Sequence, residues 1–122
     1  MITGIGVDLV EIQRIRQLVK RYQKSFLDRV FTAAEQRESG NRTSYFAGRW
    51  AAKEAAAKAL GCGMGEKCAF TDIEILDDEQ GAPHLACTAP AAREKGGKLR
   101  YLVSISHEKE YATATVIVET ES

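Results

Sequence analysis

The sequence predicts an α+β fold, in which a small antiparallel sheet packs against one long helix and several shorter helices. Three observations lead to this prediction: an apolar strand at the N-terminus, a helix-rich middle, and two hairpin patterns in the C-terminal half. Strands and helices that are segregated along a chain in this way are typical of α+β architecture. Because 122 residues suit one hydrophobic core, we expect residues 1–122 to form a single domain.

The first predicted element is a short strand from Ile2 to Leu9, which contains two glycines. Alternate side chains of a strand lie on opposite faces. One face carries the large apolar side chains of Ile5, Val7 and Leu9 and is expected to be core. The other face carries Gly4, Gly6 and Asp8. Paired glycines beside a carboxylate would allow a ligand or another backbone to approach closely.

Helices are predicted through the middle of the chain. Apolar side chains recur at the spacing of one helical face from about Val10 to Tyr22, which predicts the first helix. A short helical segment should follow from Phe26 to Phe31. Thr32 and Glu35 form a capping-box pattern that opens another helix, which Gly40-Asn41 should end.

The longest predicted helix begins at Thr43 or Ser44 as its cap and continues through Leu60, in a stretch rich in strong helix formers. Gly61 should end this helix. The alternate glycines of residues 61–65 then predict a flexible loop, because glycine loses the most conformational freedom when it enters a regular element.

The C-terminal half predicts two hairpins with a short helix between them. The predicted strands are Ile73–Leu76, His84–Cys87, Tyr101–Ser106 and Ala112–Val118. The turn-rich residues 77–83 connect the first pair, and a connection that includes His107 joins the second. The short helix is predicted from Ala89 to Lys95.

Composition and charge narrow the function classes. A net charge of zero argues against a general nucleic-acid binder, and the sequence contains neither a signal-peptide pattern nor an apolar stretch of membrane-spanning length. We therefore expect a cytoplasmic protein without a membrane partner. The three cysteines, Cys62, Cys68 and Cys87, are odd in number and lack metal-ligand spacing, so they are predicted to be reduced core or loop thiols.

Charge is unevenly distributed along the chain. Residues 1–30 contain six basic and three acidic residues and therefore carry a net charge of +3, which the rest of the chain offsets. A basic segment of this kind can attract an acidic partner. A solvated helix face would give the same pattern, and on charge alone that interpretation is favoured.

Two carboxylates stand out as candidate ligands. Glu54 lies at the edge of an apolar arc of the long helix, where an unpaired carboxylate is costly, and Asp8 follows the glycines of the first strand. Together they would suit Mg²⁺, which protein carboxylates and substrate phosphates commonly share. Each has an alternative: a salt bridge from Glu54 to Lys58 one turn later, favoured on the residues alone, and helix capping for Asp8.

Other motifs add little chemistry. His84 and His107 lack metal-ligand spacing and are expected to be solvated near turns. The sequence contains no nucleophile elbow, phosphate-binding P-loop or dinucleotide fingerprint, which disfavours hydrolases, nucleotide triphosphatases and dinucleotide enzymes. The residues alone therefore indicate a possible magnesium and phosphate site and do not identify a substrate.

Three motifs in register resemble those of the holo-acyl-carrier-protein synthase family of 4′-phosphopantetheinyl transferases. They are Gly4-Ile-Gly-Val-Asp8 with Arg14 six residues later, the segment from Phe46 to Gly61, and Ser104-Ile-Ser-His107. The resemblance covers essentially the whole chain. Its one small departure is Trp50, where the family pattern leads us to expect phenylalanine.

The resemblance implies the family's fold and its reaction. That reaction transfers phosphopantetheine from coenzyme A to a serine of acyl carrier protein in fatty acid biosynthesis, with Mg²⁺, and releases 3′,5′-ADP. Asp8 and Glu54 would hold the metal, and Lys58 would contact phosphate and join them as a catalytic residue. The positions that match the coenzyme A site are Arg49, Lys58, Gly61, Gly63, Gly65, Pro83 and His107. The general base stays open between a site carboxylate and a metal-bound water.

The resemblance also implies partners. Arg14 and Arg21 would bind the acidic acyl carrier protein, and the family's homotrimers place active sites between neighbouring subunits. Two other classes remain open. One is a transferase for carrier domains of larger synthases, whose broad-specificity members resemble two such domains fused. The other is a coenzyme A or nucleotide-binding module without catalysis, which would bind but not turn over.

Overall fold

The computed structural model describes residues 1–121 and confirms the predicted α+β class. Five strands and five α-helices lie within those residues. In chain order they are β1 Ile2–Glu11, α1 Ile12–Tyr22, α2 Lys24–Val30, α3 Ala33–Ser39, α4 Thr43–Leu60, β2 Ile73–Asp77, β3 Pro83–Cys87, α5 Pro90–Glu94, β4 Lys98–His107 and β5 Tyr111–Glu121. A short 3₁₀ helix, Phe70–Asp72, precedes β2.

The strands form two antiparallel sheets. The larger sheet has the order β1-β5-β4, and β2 and β3 form the predicted hairpin as a second sheet. Helix α4 packs across one face of the larger sheet and also contacts α1 and β2. Its small alanine side chains are buried around most of its circumference, which makes α4 the centre of the core rather than a helix with a single apolar face.

Several predicted boundaries were wrong by a few residues. Pairing of β1 with β5 continues to Glu11 opposite Tyr111, so Val10 belongs to the strand and α1 begins at Ile12. Arg42, rather than Thr43 or Ser44, precedes the first turn of α4 as its cap. His107 pairs with Ala112 as the last residue of β4 and is not part of the connection.

Two predicted helix signals are confirmed. Thr32 and Glu35 form the capping box of α3, in which the Thr32 hydroxyl accepts from the Glu35 N–H and a Glu35 carboxylate oxygen accepts from the Thr32 N–H. Gly61 ends α4 in the left-handed region, with φ of 81°, which a residue without Cβ adopts at little cost. None of the helices within residues 1–121 is both long and apolar enough to cross a membrane.

The two faces of β1 are reversed relative to the prediction. The side of the strand that carries the glycines packs against α4, whereas the large apolar side chains lie on the open side of the sheet. Ile5, Val7 and Leu9 are 66%, 58% and 63% exposed. A Cβ built on Gly4 or Gly6 would lie 1.9 Å from a backbone carbonyl oxygen of α4. The glycines therefore allow close approach of strand and helix.

Gly6→Ala is expected to lower the free energy of unfolding by about 3 kcal/mol or more, because the new methyl group would collide with the Ala55 carbonyl and force β1 and α4 apart. Urea unfolding measures this loss. Ser106→Ala, at an exposed position of β4, is the control and should change stability by less than about 0.5 kcal/mol. Equal effects of the two substitutions would contradict the close approach.

Candidate active site

Asp8 and Lys58 are joined where β1 crosses α4. The Lys58 ammonium donates to the Asp8 Oδ1 atom at 3.2 Å and to the Val7 carbonyl oxygen at 2.9 Å. The Asp8 side chain is 17% exposed, while that of Lys58 is half exposed. Asp8 does not cap α1, because Glu11 occupies the cap position. The structure thus places two predicted site residues in direct contact.

Glu54 lies beside this pair on α4. None of the ion pairs found within residues 1–121 includes Glu54, so the salt bridge with Lys58 that the residues alone favoured was wrong. Burial raises the pKa of Glu54 above its usual value, and the Asp8 carboxylate raises it further, whereas Lys58 and Arg14 lower it. Two carboxylates therefore interact in a partly buried place that two cations only partly neutralise.

The donor set of this site fits Mg²⁺. Among residues 1–121, no cluster of three or more His, Cys, Asp or Glu side chains is arranged to hold a metal. Mg²⁺ does not require such a cluster, because it commonly uses one or two carboxylates together with substrate phosphates and water. The raised pKa of Glu54 reflects in part its repulsion by Asp8, which a bound cation would relieve.

The glycine loop, residues 61–65, borders an open groove of about 550 Å³ that also contacts Lys67 and the end of α5. Gly61, Gly63 and Gly65, which the resemblance assigned to the coenzyme A site, lie in this lining. Within the loop region, Gly65 and Cys68 exchange backbone hydrogen bonds of 3.0 and 3.2 Å. The backbone of the loop is therefore exposed and supported at one end.

Arg49, Pro83 and His107 meet in a smaller cavity of about 190 Å³ at the other end of α4. The Arg49 guanidinium is already engaged there. It donates to Glu38 at 3.0 Å and to Asp77 at 2.9 Å, and it lies 4.2 Å from the centre of the Tyr45 ring. Arg49 consequently supports the cavity wall, and Glu38 and Asp77 offset its charge there.

The predicted coenzyme A residues form two separate groups in one chain. The cavity at Arg49 does not include Asp8, Glu54, Lys58 or the glycine loop among its lining residues. Arg49 and Glu54 are five residues apart on α4, which corresponds to about 140° of rotation around a helix. One chain alone does not bring the two groups together around one ligand.

A third site lies along α1 and α2. An apolar groove of about 650 Å³ there has Arg14 and Arg29 on its walls. Its apolar lining is Leu18, Tyr22, Phe26, Val30, Trp50 and Phe70. The Arg14 guanidinium lies 5.6 Å from the centre of the Trp50 ring. Arg21 lies over the Tyr22 ring but is not itself one of the residues that line the groove.

Sequence analysis missed the apolar part of this groove. Phe26, Trp50 and Phe70 come from three distant segments, and Trp50 stacks on the other two rings, at centroid distances of 6.1 and 4.8 Å. The excess of basic residues in the first third of the chain was the available signal, and Arg29 belongs to it. Nothing in the spacing predicted that aromatic rings would join these cations.

Comparison with known proteins identifies the family to which this chain belongs. Residues 4–116 match the model of the 4′-phosphopantetheinyl transferase superfamily. The chain is 45% identical to the holo-[acyl-carrier-protein] synthase of Geobacillus kaustophilus, over 98% of this chain and 90% of that protein. It is 41% identical to the enzyme of the same name from Bacillus subtilis, over 98% and 97% of the two chains.

Solved structures give the same result. The Helicobacter pylori holo-[acyl-carrier-protein] synthase in complex with coenzyme A superposes with a TM-score of 0.88 at 35% identity, over 94% of this chain and 99% of that one. The Bacillus anthracis enzyme, also solved with coenzyme A, gives a TM-score of 0.84 at 36% identity and covers 99% of both chains.

Proposed function

Because this chain belongs to the 4′-phosphopantetheinyl transferase superfamily and is an enzyme of the holo-[acyl-carrier-protein] synthase type, we propose that it transfers phosphopantetheine from coenzyme A to a serine of apo-acyl carrier protein. The observation that carries the finer part of the proposal is the grouping of Asp8, Glu54 and Lys58. We further propose that residues 1–122 act as one domain in the cytoplasm, in support of fatty acid biosynthesis.

Asp8 and Glu54 would hold Mg²⁺ against the pyrophosphate of coenzyme A. When bound, the metal offsets charge on the pyrophosphate and on the leaving 3′,5′-ADP. Lys58 would exchange its contact with Asp8 for a phosphate oxygen, because its half-exposed side chain is accessible to a ligand. In the reaction a bond forms between the serine oxygen and phosphorus, while the bond from phosphorus to 3′,5′-ADP breaks.

Mass spectrometry tests this function. Apo-acyl carrier protein is incubated with the full chain, coenzyme A and Mg²⁺, with and without EDTA. We expect a mass gain of one phosphopantetheine arm on the carrier serine, with 3′,5′-ADP as co-product, and no gain in EDTA. Coenzyme A binding without any gain on several carriers would instead support the binding module, and full transfer in EDTA would contradict the metal requirement.

We propose that coenzyme A binds between subunits of a homotrimer. The predicted coenzyme A residues of the glycine loop line one groove, and Arg49, Pro83 and His107 line a separate cavity. In a trimer, a neighbouring copy would supply the second group. The open face of the larger sheet supports such an assembly. It carries exposed Ile5, Val7 and Leu9 of β1 and Leu102 of β4, an apolar surface of the kind that protein contacts cover.

Val7→Asp is expected to dissociate the assembly, because a carboxylate would be buried within that apolar face. Sedimentation should show a shift from trimer to monomer, with an increase of at least about 100-fold in the dissociation constant. Val7→Thr keeps the shape of the side chain and should shift the equilibrium much less. A native-like circular dichroism spectrum for Val7→Asp is needed as a control for folding, and an unchanged trimer would contradict this interface.

The groove along α1 and α2 is proposed to bind acyl carrier protein. Its apolar rings would bury carrier side chains, while Arg14 and Arg29 would pair with carrier carboxylates. Arg21 lies on the same helix as Arg14 and would add attraction from outside the groove. The net charge of +3 in residues 1–30 then has an acidic partner.

Arg14→Glu is expected to weaken carrier binding by at least about 10-fold, because it reverses a charge at the groove. Binding is measured by calorimetry with a carrier whose acceptor serine is alanine, so that turnover does not contribute. Coenzyme A affinity should change much less. Arg16→Glu makes the same charge change on α1 outside the groove and is the matched control. Unchanged carrier affinity in Arg14→Glu would contradict this docking site.

A further inference from the structure

The Arg49 guanidinium is held by four neighbouring groups. Its Nε atom donates to the Ile75 carbonyl oxygen at 3.0 Å, and its Nη2 atom donates to Glu38 at 3.0 Å and to Asp77 at 2.9 Å. The guanidinium carbon also lies 4.2 Å from the centre of the Tyr45 ring. Arg49 as a whole is only 6% exposed. A long side chain with many rotamers is therefore restricted to one orientation.

Glu38 makes most of the contacts in this arrangement. One of its carboxylate oxygens accepts from both the Arg49 guanidinium and the Tyr45 hydroxyl, and the other accepts from the Asp77 N–H at 3.0 Å. Glu38 thus joins α3 to α4 and to β2 through a single side chain. Burial opposes its ionisation, but the hydrogen bonds from Tyr45 and Asp77 and the charge of Arg49 hold the pKa of Glu38 below its usual value.

The Nη1 donors of Arg49 remain available to a ligand. No hydrogen bond within residues 1–121 uses Nη1, and no buried side-chain nitrogen in that part of the chain lacks a partner, so Nη1 must be accessible. Arg49 lines the cavity of about 190 Å³, as does Asp77, whereas Glu38 does not. Because two carboxylates offset its charge, Arg49 gives the cavity directed N–H donors more than net charge.

We propose that Glu38 is a positioning residue for coenzyme A binding, because it fixes the Arg49 guanidinium with its Nη1 donors available in the cavity. Glu38 itself would not touch the ligand. The resemblance assigned Arg49, but not Glu38, to the coenzyme A site. This role rests on the function proposed above, since it concerns the same site. A guanidinium that is fixed before the ligand arrives loses less conformational freedom on binding, which favours affinity.

Calorimetry with the full chain and coenzyme A tests this role. Glu38→Gln keeps the size of the side chain but replaces charge-assisted hydrogen bonds with weaker neutral ones. It should weaken coenzyme A binding by at least about 5-fold, because Arg49 is no longer fixed before binding. In transfer assays the KM for coenzyme A should rise by a similar factor, while kcat and the KM for the carrier stay within about two-fold.

Glu74→Gln is the matched control. Glu74 accepts from the Thr32 hydroxyl at 2.6 Å and so also joins α3 to β2, but it does not line the cavity at Arg49. Its substitution should leave coenzyme A affinity within about two-fold of the unmodified protein. Equal losses in Glu38→Gln and Glu74→Gln would show that Glu38 only joins α3 to β2, and would overturn the proposal.

A double-variant cycle shows whether Glu38 acts through Arg49. In an Arg49→Met background, Glu38→Gln should have little further effect on coenzyme A affinity, because the side chain that Glu38 positions is gone. An equal effect of Glu38→Gln with and without Arg49 would overturn the proposal. Urea unfolding of each variant shows whether it is folded.

Nitrogen NMR of the Arg49 guanidinium gives a readout that needs neither turnover nor the Arg49 variant. The two Nη atoms should give separate signals in the unmodified protein, and rotation about the Nε–Cζ bond should be several-fold faster in Glu38→Gln. Unchanged rotation would overturn the proposal. Coenzyme A binding by the unmodified protein is measured first. Its absence would overturn the proposed function and this role with it, whereas binding that Glu38→Gln leaves unchanged would overturn only the role of Glu38.

Discussion

Asp8→Asn and Glu54→Gln are each expected to lower kcat/KM for carrier modification by at least about 100-fold. Each substitution keeps the side chain's size and removes its charge. A neutral amide binds Mg²⁺ less strongly than a carboxylate does, and the site offers two carboxylates among its nearest groups. Loss of either one should therefore leave pyrophosphate charge poorly offset.

Two measurements separate this role from a structural one. Mg²⁺ binding in the presence of coenzyme A, measured by calorimetry, should weaken in both variants, while urea unfolding should show that each remains folded. In metal-free protein, Asp8→Asn should also lower the pKa of Glu54, because the Asp8 carboxylate contributes to raising it. Carbon NMR of the Glu54 carboxyl group reads that pKa directly.

Glu121→Gln is the control for these variants. It removes a carboxylate that pairs with Lys98 at the far end of β5, and transfer activity should stay within about two-fold of the unmodified enzyme. Full transfer activity in Asp8→Asn would exclude the proposed mechanism and its metal site together. Loss of activity with unchanged Mg²⁺ binding would show that Asp8 and Glu54 are needed for transfer but are not Mg²⁺ ligands.

The fold class and the order of elements were predictable from local patterns. The capping box of Thr32 and Glu35, the end of α4 at Gly61 and the β2–β3 hairpin all depend on short stretches of sequence, and the structure confirms each of them. The length of β1 was not predictable, because its last residues are fixed by pairing with β5 at the opposite end of the chain.

The reversed faces of β1 show where alternation fails. Alternation correctly separates Ile5, Val7 and Leu9 from the glycines, but it does not say which side is core. Apolar size favoured the wrong side, because close packing on α4 requires the absence of side chains at Gly4 and Gly6. The large side chains then remain on the open face, where our proposed assembly would cover them.

The candidate site was predictable only in part. Glu54 was unusual because it lies at the edge of an apolar arc, and Asp8 because it follows two glycines. The contact of Lys58 with Asp8, rather than with Glu54, depends on how β1 crosses α4.

Lys53→Met is expected to lower the free energy of unfolding by about 3–5 kcal/mol, measured by urea unfolding, because it leaves Glu35 as a buried charge without its partner. Both side chains are fully buried, and the Lys53 ammonium donates to Glu35 at 2.7 Å. It also donates to the carbonyl oxygens of Val30 and Phe70, at 2.8 and 3.0 Å. Those bonds join α4 to the end of α2 and to the 3₁₀ helix.

Loss of Lys53 should lower the free energy of unfolding more than loss of one partner of an isolated ion pair would, because Glu35 has further contacts. Its carboxylate also accepts from the backbone N–H groups of Thr32 and Ile75, each at 2.9 Å, so that it joins α3 to β2. Burial lowers the pKa of Lys53, and the adjacent Glu35 carboxylate opposes that change. A methionine at position 53 would fill the space but would supply neither the charge nor the three hydrogen bonds.

Lys24→Met makes the same chemical change at an exposed ion pair with Asp28 and should cost less than about 1 kcal/mol. The double variant Lys53→Met with Glu35→Gln should recover part of the loss, because an amide carries no charge but can still accept a backbone hydrogen bond. Such coupling would show that the uncompensated charge of Glu35, rather than the change in side-chain volume, accounts for most of the lost stability. If Lys53→Met and Lys24→Met lowered the free energy of unfolding equally, the buried pair would not be what joins α4 to its neighbours. The position of Glu54, the next residue on α4, would then not depend on that pair.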